Sequence, residues 1–484
     1  METLRDRPCI SILLIFIGVL TFVNVGIFIY QLYLGFTIPA RFGYVEPYVI
    51  HQSINWGVMF SPIDTQPYIV TNFPPVYLFL TGIINAIFNA PFFSARLVSA
   101  VGTTIAAIFI ALIVKKSSPA ETQVAGLAGL IYLLGPYVTS SGATASPDNL
   151  GMAISLGAIY WFLTREGKSK IVGAAFFAAV APLAKQSLLG APVGIFLALL
   201  WKRKLKQAAI FASIVGIVGF GTLSILTILT DGRAWLHLVE YNSNELQISR
   251  MVEMTYFFIT RHTATLVLGS LAALFYFDEM PRVAVTYTIA TGVSVVLTAK
   301  VGSDVLYYYP FLSAMSILAG IYLGHTFPNG LLESINQPID CERFREPLIA
   351  LLLVATLLLT GISPPNDNAH GSVEAAEFLD SVDGDVLAED AGVLISSDRP
   401  VHYQPYIFNR LHKQGVWNET PFVTSIQQKK YDYVVLTGSA NSSSGWFTPR
   451  QRRAVNDNYK LHKRFEDYYV YIPATEVKSP LSVT

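Results

Sequence analysis

The chain reads as a polytopic α-helical membrane protein with a small C-terminal α/β domain, and three observations predict this. Of its 484 residues, 52% are hydrophobic and only 14% charged, with a mean hydropathy of +0.46. Uncharged apolar runs recur as far as about residue 363, each near the roughly 20 residues that cross a hydrocarbon core. Beyond Gly361-Ile362-Ser363-Pro364-Pro365 the composition changes abruptly to mixed charged and aromatic residues. A closed barrel is excluded, because barrel strands alternate over about 10 residues and these runs are continuous.

The first run, Ile10 to Tyr30, is too long for a signal-peptide core and lacks a small-residue cleavage site, so it is expected to be a retained span. Ten further spans are expected near 97–114, 123–139, 149–164, 170–184, 188–201, 207–229, 263–277, 283–299, 308–324 and 347–363. The run Val76 to Phe88 is left out. It is short, starts at Pro74-Pro75 and is broken by Asn85 and Asn89. Counting it as a crossing would also reverse the side on which the basic clusters fall. With it placed along the outer interface, Arg5/Arg7, Lys115/Lys116, Arg165/Lys168/Lys170, Lys202/Arg203/Lys204/Lys206, Arg282 and Arg343/Arg345 all lie inside, as cytoplasmic loops require. The expected protein is therefore a multi-pass cell-membrane protein of about eleven spans, with a cytoplasmic N-terminus and an extracytoplasmic C-terminal domain.

The division falls at residues 1–363 and 364–484. In the second part Val373 to Leu379 has helical spacing, whereas Tyr431 to Leu436 and Tyr468 to Ile472 read as strands. Asn418-Glu419-Thr420 and Asn441-Ser442-Ser443 fit the glycosylation pattern that an outward domain permits. Zero formal net charge implies no nucleic-acid partner, and the two cysteines, Cys9 and Cys341, make no framework.

Ionisable residues on the outer side are few and gather in particular loops: Glu46 after the first span, Asp148 in Ser146-Pro147-Asp148-Asn149, and Lys185 between two short spans. Arg233, His237, Glu240, Arg250, Glu253, Arg261 and His262 follow the seventh span, and Lys300 and Asp304 precede Tyr307-Tyr308-Tyr309-Pro310. Charges near a membrane are costly and point to function. A carboxylate beside an acceptor hydroxyl can take its proton while cations stabilise a departing phosphate, which suits sugar transfer from a lipid phosphate. Each residue also has a plainer reading. Glu46 pairs with Arg41, Asp148 caps a helix, Lys185 snorkels, the tyrosine run is an aromatic belt, and His51, His237 and His262 show no metal-ligand spacing.

Glu46 in the first loop, Asn72-Phe73-Pro74-Pro75-Val76-Tyr77, Ala95-Arg96-Leu97, Ser146-Pro147-Asp148, Ala184-Lys185-Gln186-Ser187 and Tyr309-Pro310-Phe311 occur in the order and spacing of one family. Over roughly residues 10–325 the chain resembles the GT-C superfamily of integral-membrane glycosyltransferases, in its protein-mannosyltransferase-like and aminoarabinose-transferase-like branch. The resemblance implies a GT-C-like fold with interfacial helices in the first external loop. It implies transfer of a hexose or pentose, with inversion, from a polyprenyl (dolichyl or undecaprenyl) monophosphate to a glycan, protein or lipid acceptor on the outer face of the membrane. It implies Glu46 as catalytic base and Asp148 as the second acid. Candidates for the substrate, and above all for its phosphate, are Lys185, Arg261, Lys300 and Arg96, with Tyr77, His237, Glu240 and Tyr309 beside them. Many relatives carry Asp, often in an acidic pair, where this chain has Val45-Glu46-Pro47. No cofactor is implied, although relatives differ in their use of a divalent metal. The alternative is a transporter or flippase of lipid-linked sugars, whose signs would be inverted repeats and discontinuous helices near the midplane.

Overall fold

The computed structural model describes residues 8–40, 43–330, 350–356, 358, 370–442 and 445–474. They form two compact units, Met1–Phe36 with Phe73–Pro365 and Thr37–Asn72 with Asn366–Thr484.

The first unit is helical. After α1 (Pro8–Thr37), the helix α3 (Pro75–Phe88) starts on Pro75 and ends at Asn89 in the left-handed conformation, φ 47°. Proline tolerates a helix start because its missing N–H would be unpaired there anyway. α4 (Pro91–Ser117) also starts on proline and ends on Lys115 and Lys116, where cations favour the helix C-terminus. α5 (Thr122–Leu133) and α6 (Pro136–Gly142) make one path bent by 75°. Pro136 cannot donate to the preceding turn, and the break is closed locally by Gly135 N donating to Tyr132 O and Thr139 N to Gly135 O. There follow α7 (Pro147–Thr164), α8 (Gly167–Ala184), α9 (Gly190–Trp201) and α10 (Leu205–Leu229). A short turn α11 (Arg233–Trp235) runs into a π-helical turn, Leu236–Glu240. α12 (Ile248–Phe275) is kinked at His262, α13 (Arg282–Ser294) continues as a 3-10 turn to Ala299, and α14 (Tyr309–Thr326) closes the set.

Seven of the described helices are long and apolar enough to cross a membrane, or eight if the bent pair is one span. The expected spans at 149–164 and 188–201 are helices too, α7 of 18 residues and α9 of 12, outside those seven. Most of the expected 347–363 span lies outside the described residues. Val76 to Phe88 is the 14-residue α3, short for a crossing. α14 is the most enclosed of the seven, whereas on α10 only Ala208 and Phe211 are buried. A helix apolar all round yet exposed from the protein is what lipid covers.

Gly102 and Gly151 are two of the glycines in the first unit that allow close helix contact. A Cβ at Gly102 of α4 would meet Leu150 N at 2.8 Å and Asn149 O at 2.9 Å, so α7 begins directly against the α4 backbone. A Cβ at Gly151 would meet the Leu188 side chain at 2.2 Å instead.

The second unit holds a four-stranded sheet of order β1-β2-β4-β3, built from β1 (Val386–Ala388), β2 (Tyr433–Thr437), β3 (Tyr459–Phe465) and β4 (Tyr468–Pro473). β1 and β2 are parallel, and β4 is antiparallel to both of its neighbours. Helices α15 (His370–Asp380), α16 (Ala391–Ser396), α17 (Pro405–Lys413), α18 (Thr420–Gln427) and α19 (Pro449–Asn458) accompany it. The helix and both strands read from sequence periodicity are present, as α15, β2 and β4.

The division at residue 363 leaves 37–72 with the membrane part, but in the fold this segment packs with the C-terminal residues. Tyr68 N donates to His402 O at 2.8 Å, Gln404 N returns to Tyr68 O at 3.0 Å, and Val70 N donates to Gln404 Oε1 at 3.0 Å. The Tyr68 ring lies among Tyr403, Phe408, Trp417 and Phe422. The segment also supplies α2 (Glu46–Ile54), of which eight residues are buried.

Gly102→Ala is expected to destabilise the detergent-solubilised protein by about 1–3 kcal/mol, the usual cost of overpacking, because backbone atoms must move. Gly151→Ala should cost less, since a leucine side chain can rotate; thermal melting of the two variants checks the order.

Candidate active site

The first turn of α7 carries the candidate site. Its N-cap is Ser146, and Pro147 and Asp148 follow within the turn. Asp148 is therefore not the cap, as one reading had it, and its carboxylate is turned elsewhere. Lys185, the residue that ends α8, donates from Nζ to Asp148 Oδ2 at 2.9 Å. Both side chains are buried, 9% and 3% exposed, so Lys185 does not snorkel to an interface. The ammonium also lies 4.8 Å from the centre of the Phe73 ring and 5.4 Å from that of Tyr307, within cation–π reach of both.

A chain of hydrogen bonds fixes Asp148 from behind. The Tyr77 hydroxyl of α3 donates to Ala95 O at 2.7 Å and meets Ser99 Oγ of α4 at 2.9 Å. Ser99 Oγ accepts from Ser146 N at 2.9 Å, and Ser146 Oγ donates to Asp148 Oδ2 at 3.3 Å. Next to Asp148, Asn149 Nδ2 donates to Ser141 O at 2.8 Å, and the Tyr309 hydroxyl donates to Ser141 Oγ at 2.6 Å. Helices α3, α4, α6 and α14 thus all position one turn of α7.

The remaining sequence candidates are placed differently. Tyr77 and Tyr309 are buried with hydroxyls engaged by the scaffold. Arg96 is fully buried and donates from Nη1 to Gly35 O at 2.7 Å, capping a late carbonyl of α1, with Phe92 beneath its guanidinium. That geometry ties helices together. Lys300 sits in the turn where Leu246 and Lys300 bridge two loop strands, and Arg250 fastens the same turn through Ser303. Arg261 is exposed on α12 beside the kink at His262. His237 is buried near Tyr241, and Glu240 is exposed and accepts from Trp235 Nε1 at 3.1 Å. Glu46 opens α2 in the second unit, buried at the helix N-terminus, where a carboxylate is favoured. Arg41, its partner in the plainer reading, lies outside the described residues. Among the described residues no three His, Cys, Asp or Glu side chains could together hold a metal ion.

In the sequence Phe73 and Tyr307 stand out only as parts of a motif and a belt, and Ser99 carries no signal at all. A serine within an apolar helix is common, and only its two bonds across 47 positions distinguish it.

A family model described as dolichyl-phosphate-mannose-protein mannosyltransferase matches residues 72–228. No curated protein matches the sequence. ArnT from Cupriavidus metallidurans, bound to undecaprenyl phosphate, is similar in structure with a TM-score of 0.64 at 12% identity, over 96% of this chain and 99% of that one. In fold, the chain is similar to this ArnT. The apo state of the same ArnT gives a TM-score of 0.63 at 11% identity over 93% of this chain and 97% of that one. The Archaeoglobus fulgidus oligosaccharyltransferase in its apo form gives 0.54 at 13% identity, over 97% of this chain and 75% of that one. The family match includes Asp148 and Lys185 and ends before the loops that carry Arg261 and Lys300. The bend at α5/α6 is a discontinuity of the kind a transporter would also show, and its broken backbone is hydrogen-bonded locally.

His51, a metal candidate in sequence, is buried on α2 with Asn55 Nδ2 donating to its Nδ1 at 3.2 Å, and its Nε2 has no partner among the described residues. Burial, then the nearby His402, pushes its pKa down from 6.5 to about 4.

Two measurements follow from these environments. Asp148→Asn leaves a buried, unpaired ammonium and is expected to cost about 3–5 kcal/mol of stability, while the double variant Asp148→Asn/Lys185→Met should recover much of the loss in thermal melting. For His51, the folded state binds fewer protons than the unfolded one between pH 6.5 and 4. Stability is then expected to fall on acidification across that window by up to about 3 kcal/mol, and His51→Phe should flatten this part of the profile.

Proposed function

We propose that the protein is a membrane glycosyltransferase that takes its sugar from a polyprenyl monophosphate. The observation that carries the reading is the buried Asp148–Lys185 pair at the first turn of α7, inside the region that the mannosyltransferase family model matches. A cation kept this dry interacts with a phosphate more strongly than one in water, and the Phe73 and Tyr307 rings flank it. The ArnT neighbour with undecaprenyl phosphate supports a lipid phosphate as the donor type.

In this reading Lys185 holds the donor phosphate, and Asp148 orients Lys185. An acceptor hydroxyl attacks the anomeric carbon from the side opposite the phosphate, which inverts the configuration. Glu46 is assigned as the base that takes the hydroxyl proton, on the grounds of its acidity, its burial and its place at the start of α2. Arg261 and Lys300 remain secondary phosphate candidates, and Arg96 is better explained by its bond to α1. The acceptor, whether glycan, protein or lipid, is met on the outer face of the membrane.

The test uses the full-length protein in a cell whose own copy is deleted. The lipid-linked sugar that accumulates on deletion names the donor, and that lipid then serves as substrate in vitro. Lys185→Met is expected to raise KM for the lipid donor and lower kcat/KM about a hundredfold. Glu46→Gln should lower kcat by about 10²–10⁴ with a normal melting temperature; wild-type transfer by Glu46→Gln would remove it from the mechanism.

A further inference from the structure

The Asp148 carboxylate stands where a phosphate on Lys185 would feel it. An ammonium has three N–H donors in tetrahedral array. One is used by Asp148 Oδ2 at 2.9 Å, so an acceptor on either of the others comes within about 5 Å of that oxygen. Ser146 Oγ is the other donor to Oδ2, and it is neutral. Among the described residues, the ionisable groups that the pair is seen to interact with include Asp304 and Tyr307 before α14, Tyr132 of α5 and Tyr309 of α14, none of them cationic. Arg250 is a cation that acts on Asp304.

A site built to hold as much phosphate charge as possible would leave its lysine unpaired or add a second cation. This one neutralises its lysine before the ligand arrives. We propose that Asp148 makes the Lys185 site select a phosphate bearing one negative charge, so that a phosphodiester is held and a phosphomonoester is expelled. The inference rests on Lys185 being the phosphate site proposed above.

The chemistry gives that selectivity a use. In the donor, phosphate is esterified on two sides, to the lipid and to the sugar, and carries one charge. During transfer the bond from the anomeric carbon to the phosphate oxygen breaks and its electron pair stays on that oxygen. The acceptor oxygen forms the new bond to the carbon, and its proton passes to the base. The lipid is left as a phosphomonoester, whose second ionisation near pH 6 gives it two charges at neutral pH. Repulsion from Asp148 then acts on product and spares substrate. This places Asp148 in product release as a specificity-determining residue, not as a second base.

Binding of two probes to the full-length protein in detergent tests this: undecaprenyl phosphate and its methyl phosphodiester, each at about pH 5.5 and pH 8. The wild-type protein should bind the diester equally at both pH values, and the monoester about tenfold more weakly at pH 8 than at pH 5.5. A lysine without Asp148 predicts the opposite sign, because a second charge would be attracted. Monoester binding that stays level or tightens at pH 8 therefore overturns the inference, on wild-type protein alone. In Asp148→Asn the pH 8 preference for the diester should vanish through a gain for the monoester; a preference that persists there would also overturn it. Lys185→Met should weaken both probes at least tenfold. If it weakens neither, the phosphate site itself is misplaced, a failure distinct from loss of selectivity with the site intact.

Discussion

A buried ion pair, Asp148 with Lys185, is the constraint on which the arrangement of the first unit depends. Removing two charges from water costs several kcal/mol per ion, and the cost is recovered only with good geometry and with the remaining polar atoms bonded. Much of the local architecture meets that condition. Tyr77, Ser99 and Ser146 form a relay from α3 through α4 to the carboxylate, and the glycines at 102 and 151 let α7 sit close to α4 and to the turn bearing Lys185. Phe73 and Tyr307 complete the surroundings of the ammonium with ring faces.

The second unit shows a similar economy without an evident ligand. Glu389 is fully buried and accepts from Thr437 N and Oγ1 at 2.8 Å, from the backbone of Trp446 and Phe447, and on both oxygens from Arg452 Nη2, at 3.0 Å to Oε1 and 2.9 Å to Oε2. Every oxygen of that carboxylate is used by the fold. Buried charge alone is therefore a poor guide to function in this protein. The Lys185 ammonium differs in having two ring faces beside it, which attract a cation without consuming its N–H donors.

Much of the fold was legible in sequence. The apolar runs announced the spans, prolines at 75, 91, 136 and 147 mark helix starts, and the alternation at 431–436 and 468–472 announced strands. The site was legible in part. Asp148 and Lys185 stood out as charges in apolar surroundings, and the reasons given for each separately, a cap and a snorkelling cation, were plausible for each separately. Neither survives once the two are 2.9 Å apart. Arg96 entered through the family resemblance as a phosphate candidate, and in the fold it bonds the end of α1. The 37–72 segment is the clearest failure: its polar, aromatic character suggested a loop of the membrane part, and nothing local says that Tyr68 completes an aromatic cluster contributed by residues 403–422.

By itself the sequence determined the class of protein and the inventory of charges, because hydropathy and helix punctuation act over one or two turns and are written in adjacent residues. The tertiary structure decided which charges meet. Asp148 and Lys185 are 37 positions apart and Ser99 and Ser146 are 47, and such separations carry no local signature. A charge in an apolar run states only that some partner must exist; the packing of α3, α4, α7 and α8 names it.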